Sequence, residues 1–470
     1  MGRYLRIFFT SAIISVLLIA CTREELREAT SQPFWHNPVE YDWDRIKQRG
    51  TLNVIVDNSS TSYFIYRGRL MGFEYELLRD FATARGVRLN MIVNADINEA
   101  FEMLNKGDAD LLALNLEVTE KRKKYAEFTI PHNQLGTVLV QRKSNQPIRK
   151  LEQLSGKTVH VRKSSTFKTK MELVSFQLAG KLQIVEDESY VDGEKLIEAV
   201  SKGDINYTIV DEDMGMVNST YFENIDVDFK VSDPVDIAWA VRRNAPDFLA
   251  ELNTWLEKVK KSAKYRILFE KYFKNPRASY FRGTSPYSSV SGNRISAYDE
   301  IIKYHADELG WDWRMLAALI YKESHFDVEA ESWAGARGLM QLMPATMEHY
   351  GVSDPINPRE SIAGGVRYLK YLDRYWTSRV PAASERVKFI LASYNVGQGH
   401  VDDAVRLAIK YRKDPSDWND VAYYLERKSQ PLYYRDEVVR FGYCRGSEPV
   451  NYVRDILRFY NGYKLLILAY

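Results

Sequence analysis

Residues 321–344 read YKESHFDVEAESWAGARGLMQLMP and set Glu323 at the end of an apolar run, ahead of small residues and a GLMQLMP turn. Leu316, Leu319, Ile320 and Glu323 fall at i, i+3, i+4 and i+7, so on a helix the carboxylate shares the face of the core residues and points inward. Removal from water disfavours the charged form and raises a carboxyl pKa. Such a group stays protonated near neutral pH and can give its proton to a leaving oxygen. The plainer reading of a helix-end glutamate is a charge held by a nearby Lys or Arg; the inward face is what argues against it. Downstream, the glycines of GARGLMQLMP suit a tight backbone path, Gln341 offers an amide contact, Met343 an adaptable apolar wall, and Pro344 a helix start. LASYNVGQGHV then ends one helix at Asn395 and Gly397 and starts another.

The elements that must position Glu323 carry their own signals. Ser296 with Asp299 approximates a capping box, and Asp312, after Gly310, can cap the helix that ends in Glu323. With 470 residues the chain has room for two or three domains. The Pro/Gly/Ser-rich segment 274–293, without apolar periodicity, reads as a linker between two of them. Ahead of it, β-rich runs such as TLNVIV, DLLALNL, KTVHVR and INYTIV alternate with helical patterns such as FEYELLRDFATARG. That alternation predicts an α/β body with largely parallel sheets. Lys+Arg 65 against Asp+Glu 63 leaves a formal charge of +2, which excludes the basic field that nucleic-acid binding requires. No Cys/His cluster has metal-ligand spacing, and Cys21 and Cys444 are the two cysteines, too few for a disulfide framework. No cofactor is implied. At the N-terminus, Arg3 and Arg6 precede a mainly apolar Ile7–Ala20 stretch, shorter than the ~20 residues of a spanning helix, as in an export signal.

Two resemblances extend this reading. RGTLNVIVDNSSTSYFIYRGRLMGFEYELLRDFA, then DADLLALNLEVTEKRKKYAEFTIPH, then LEQLSGKTVHVRKSSTF resembles the extracellular solute-binding family that serves amino-acid importers, over about residues 48–273. The resemblance implies two lobes closing on a ligand, with the chain crossing between them near residues 139 and 233. By motif, Arg122 would fork onto a ligand carboxylate, Ser165 and Thr166 would present helix-start N–H groups to an anion, and Asp211 would pair the ligand's amino group. Lys121, Lys123 and Lys124 around Arg122 equally suit a solvated face.

The second resemblance is carried by Glu323-Ser324, GARGLMQLMP, SYNVG and NYVRDIL in that order, which look like the goose-type-lysozyme-related domain of soluble lytic transglycosylases. It implies a mainly α, lysozyme-like body over residues 294–470 in which Glu323 is acid and then base. Ser324 and Ser332 would support the site, Gln341, Met343, Tyr394 and Asn395 would line a glycan cleft, and Tyr452 would bond near the carboxyl. Trp333 stands where the family often has Pro, and Val396 where it often has Ala. The implied substrate is peptidoglycan, cut between N-acetylmuramic acid and N-acetylglucosamine with 1,6-anhydro ends. A hydrolytic muramidase and a receptor that only grips glycan are the alternatives. LIAC resembles a bacterial lipobox, implying a signal peptide 1–20, acylated Cys21 and a tether over 21–47. Thr22, in place of the Asp of inner-membrane retention, points to the periplasmic side of the outer membrane. A wall-derived peptide or amino acid would be the front body's ligand.

Overall fold

The computed structural model describes residues 35, 37–163, 165–186, 190 and 193–468. The expected signal segment 1–20 and Cys21 lie outside the described residues. The chain forms two compact units. One runs to Val56 and includes Leu77–Asp213 and Ile225–Ile267; the other holds Asp57–Glu76, Met214–Asn224 and Leu268–Tyr470.

The first unit is a two-lobed α/β body, as the alternating pattern predicts. TLNVIV forms the strand Thr51–Val56, parallel to Arg88–Val93 on one side and to Leu111–Leu112 on the other. Ala240–Val241 and Glu127–Phe128 complete that five-stranded sheet with antiparallel pairings. Asp96 caps the helix Ile97–Lys106 through the N–H groups of Asn98 and Glu99, and Gly107 ends it at φ 89°. The helix packs Ala100, Phe101 and Leu104 against Ile55 and Leu112.

The second lobe centres on the long strand Asn133–Arg142, whose neighbours Tyr207–Asp211, Ile225–Asp226 and Lys230–Ile237 all run antiparallel to it. Thr158–Val161 and Gln183–Glu186 add the parallel part. Both sheets are therefore mixed rather than largely parallel. The crossings also differ from the expected 139 and 233. Both positions lie inside strands, and the chain changes lobes between Phe128 and Asn133 and again between Ile237 and Ala240. The apolar run around Val138–Val140 is buried as one continuous central strand, so the crossing has to precede it.

The second unit is mainly helical. Asp312 accepts from the Arg314 N–H and starts the helix Trp313–Ser324 after Gly310 at φ 70°. Nearly every residue of this helix is buried, including Trp313, Met315, Ala317 and Tyr321 beside the expected Leu316, Leu319 and Ile320. It is a central helix packed on all sides, which explains why one apolar stripe described it incompletely. The capping box is half realised: Asp299 accepts the Ser296 N–H at 2.8 Å, while the Ser296 hydroxyl donates to the same carboxylate at 2.7 Å. Pro358–Thr377, Ala383–Val396 and Ser447–Leu466 supply the surrounding helices. The stretch expected as a plain linker contains the helix Pro276–Thr284, capped by Asn275 through the Ala278 N–H. Its Asn-Pro start was a legible signal, masked by the surrounding Pro, Gly and Ser.

Candidate active site

Glu323 lies in the last turn of Trp313–Ser324 and keeps partial access to solvent. Burial pushes its carboxyl up from 4.5 to about 7, against the opposing pull of the Tyr452 hydrogen bond and of Lys322. Tyr452, buried in Ser447–Leu466, donates its hydroxyl to Glu323 Oε1. Lys322 is turned aside by an ion pair with Asp455 at 2.7 Å. No carboxylate is among the groups that shift Glu323.

The loop 338–343 is built around this acid by hydrogen bonds from two directions. Ser324 donates to the Leu339 carbonyl at 2.9 Å and to Ile320 O at 3.2 Å, so it ties the helix end to the loop and is buried. Tyr394, in the last turn of Ala383–Val396, donates to the Met340 carbonyl at 2.7 Å. Burial and the neighbouring Glu323 charge hold the Tyr394 phenol well above its usual range. Gln341 sits at φ 47° and spends its amide N–H groups on Ala330 O at 2.8 Å and Gly338 O at 3.0 Å. Gly338 itself is required: at φ 74°, a Cβ would fall 2.0 Å from the Pro355 carbonyl oxygen.

The other expected residues divide by position. Met343 caps Pro344–His349 and is 44% exposed, so it is not part of the core. Asn395 is exposed on its helix end, beside the Gly397 break. Ser332 bonds locally, its hydroxyl accepting the Ala336 N–H at 3.0 Å, and shapes the turn that carries the fully exposed Trp333.

Tyr368 was missed by the sequence reading. Its ring lies 5.2 Å from that of Tyr394, and burial lifts its phenol to about 12. Tyr371 and Tyr375 continue the row at successive centroid distances of 6.4 Å. The spacing 368, 371, 375 on one helix face was the available signal.

In the first unit, Arg122 is buried, unlike the exposed Lys121, Lys123 and Lys124, so the charge run is not uniformly a solvated face. Its Nη1 donates to Glu117 O at 3.0 Å, and burial draws its pKa down to about 10 against the pull of Glu117 and Asp211. Asp211 ends the strand Tyr207–Asp211, while Ser165 and Thr166 stand at the start of Thr166–Gln177. The Ser165 hydroxyl donates to Arg162 O at 2.5 Å. Lys170, unforeseen, pairs with Glu117 at 3.1 Å and with Thr137 Oγ1 at 3.1 Å.

Residues 52–275 match the model of bacterial extracellular solute-binding proteins, family 3, and residues 300–419 match the transglycosylase SLT domain. The membrane-bound lytic murein transglycosylase F of Desulfosudis oleivorans is 34% identical over 418 residues, covering 89% of this chain and 90% of that protein. The chain belongs to the membrane-bound lytic murein transglycosylase F family. A further member from Pseudomonas fluorescens is 33% identical, over 89% of this chain and 85% of that protein. Among solved structures, an ancestral arginine-binding protein bound to arginine aligns at TM-score 0.43 and 24% identity, over 48% of this chain and 99% of that one. The membrane-bound family assignment and the described helices sit together without a spanning segment: no described helix is long and apolar enough to cross a membrane.

Proposed function

We propose that this chain is a peptidoglycan lytic transglycosylase that cleaves the β-1,4 bond between N-acetylmuramic acid and N-acetylglucosamine and leaves 1,6-anhydro ends. The observation that carries the reading is the single desolvated carboxyl of Glu323, held by Tyr452 with no second carboxylate acting on it, in a chain of this family. Most glycosidases need two carboxylates because one must activate water or attack the sugar. Here Glu323 protonates the glycosidic oxygen, the muramyl N-acetyl group stabilises the anomeric centre, and the C6 hydroxyl of the same sugar attacks it. Glu323 then takes the hydroxyl proton. An intramolecular hydroxyl has the effective-molarity advantage that free water lacks. Tyr394, Gln341, Met343 and Asn395 would line the glycan cleft, with Ser324 and Ser332 holding its walls. Mass analysis of products from purified sacculi tests this: each new end lacking one water supports it, whereas reducing N-acetylmuramic acid ends would make the chain a hydrolytic muramidase. Binding of glycan without any cleavage would make it a receptor.

The front body, residues 48–273, would bind an amino acid or wall-derived peptide through Arg122, Ser165, Thr166 and Asp211. The buried guanidinium of Arg122 and the carboxylate of Asp211, which acts on it, support a ligand with both a carboxylate and an amine. Residues 1–20 would be removed as a signal peptide. Cys21 would carry the lipid, with 21–47 as tether to the periplasmic side of the outer membrane and 274–293 joining the front body to the 294–470 transglycosylase body.

A further inference from the structure

The second unit contains an open cavity of about 860 Å³ lined by none of the residues assigned above to the glycan cleft. It is lined by Arg67, Arg69, Arg282, Tyr66, Tyr321 and His325 among others, and none of its lining residues is acidic. Tyr321 stands two residues before Glu323 on the same helix, and two residues turn an α-helix by roughly 200°, so Tyr321 leaves the helix on the side away from the acid; His325 caps that helix at φ 53°.

Its cationic wall is rigidly presented. Phe64–Tyr66 pairs antiparallel with Arg69–Met71, and the two-residue turn between them places Arg67 at φ 48° and Gly68 at φ 77°. Gly68 allows a close approach, since a Cβ there would fall 2.6 Å from the rings of both Tyr321 and Phe326. Tyr463 donates its hydroxyl to Gly68 O at 2.6 Å and locks the turn in place. Arg282 is already committed: buried, it bonds Lys271 O and Ser279 Oγ and lies over the Tyr272 ring at 5.3 Å. Arg67 and Arg69 are different. Both are exposed and neither has a carboxylate partner among the described residues, although Arg67 lies over the Tyr66 ring at 5.5 Å. Two guanidinium forks carried on a hairpin whose backbone is held in place, beside tyrosine faces, match a ligand that carries carboxylates on a short, partly apolar scaffold.

We propose that this cavity is a second ligand site, separate from the front-body cleft, that binds a carboxylate-bearing peptide through Arg67 and Arg69. That the peptide is a peptidoglycan stem rests on the function proposed above. Calorimetry on the full chain with the tetrapeptide L-Ala-γ-D-Glu-meso-diaminopimelate-D-Ala tests it, using Arg122→Ala to silence the front cleft. In that background the peptide should still bind. Adding Arg67→Ala and Arg69→Ala should weaken it roughly tenfold or more, as loss of charge-assisted bonds does. Arg67→Lys with Arg69→Lys keeps the charge but not the fork and should weaken it less. A peptide with amidated carboxylates should bind as poorly as the Ala variant sees the native one.

The substituted side chains are exposed, so an unchanged thermal midpoint separates lost binding from lost folding. No binding in the Arg122→Ala background, or binding indifferent to the arginine pair, would overturn the proposal. So would displacement by inorganic phosphate at equal concentration, which would reduce the cavity to a general anion site. Peptide affinity is read without cleavage. A chain that binds the stem peptide but fails to cut sacculi would refute the lytic reading and leave this site standing.

Discussion

At the scale of single residues, Glu323 sets two measurable expectations. Its carboxyl must be protonated to act as the acid, and its pKa is near 7, so the rate should fall as pH rises through about 7. The Tyr452 bond lowers that pKa, so Tyr452→Phe should move the alkaline limb of the rate profile to higher pH, and the optimum rate should fall about ten- to a hundredfold. A limb that stayed in place would show that another group titrates. Glu323→Gln should abolish cleavage. It should also change stability, with a sign that follows from linkage. A carboxyl raised from 4.5 to about 7 favours folding fully below pH 4.5 and loses that contribution as pH rises through 7. At pH 8 the glutamine variant should therefore be more stable than the parent by up to about 3 kcal/mol, and the gain should vanish near pH 4. Urea melts at the two pH values check it. The burial of the Glu323 carboxyl was legible from its place after the apolar run, while Tyr368 was not, because a tyrosine row at i, i+3 and i+7 on a helix has the same pattern as ordinary core packing.

At the scale of elements, the loop 338–343 depends on two close approaches. Gly338 meets the Pro355 carbonyl, and Gly365 of Pro358–Thr377 faces Met340, where a Cβ would lie 2.3 Å from the Met340 methyl. Backbone cannot retreat as a methionine side chain can. Gly338→Ala should cost on the order of 3 kcal/mol and disturb cleavage. Gly335→Ala, at φ 85° with open space around its Cβ, should cost only about 1 kcal/mol. Equal thermal shifts for the two would show that the left-handed backbone, not the contact, accounts for the cost. The cap at Asp312 was readable because capping is local. The crossings between lobes were misplaced and the helix Pro276–Thr284 was not foreseen in the stretch read as a linker, since both depend on partners distant in sequence.

At the scale of the whole molecule, the acylation proposed for Cys21 predicts that Cys21→Ser releases the chain from membranes; fractionation of cells expressing the variant decides it. Arg122→Ala should remove binding of free amino acids to the front body, measured by calorimetry, because a buried guanidinium has no water to replace it as a carboxylate's partner. Legible in the sequence alone were the order of motifs, the inward-facing position of Glu323 at the end of an apolar run, and the succession of an α/β body and a helical one. These rest on periodicity, caps and short patterns, all of them local. What only the tertiary structure decided was the environment of that acid. Tyr452 is 129 residues away along the chain, and Tyr394 reaches the loop from a third helix. Desolvation and hydrogen bonding are set by atoms within a few ångströms in space, whatever their separation in sequence; around Glu323 the burial they create lifts the carboxyl to about 7 against the opposing pull of the Tyr452 bond.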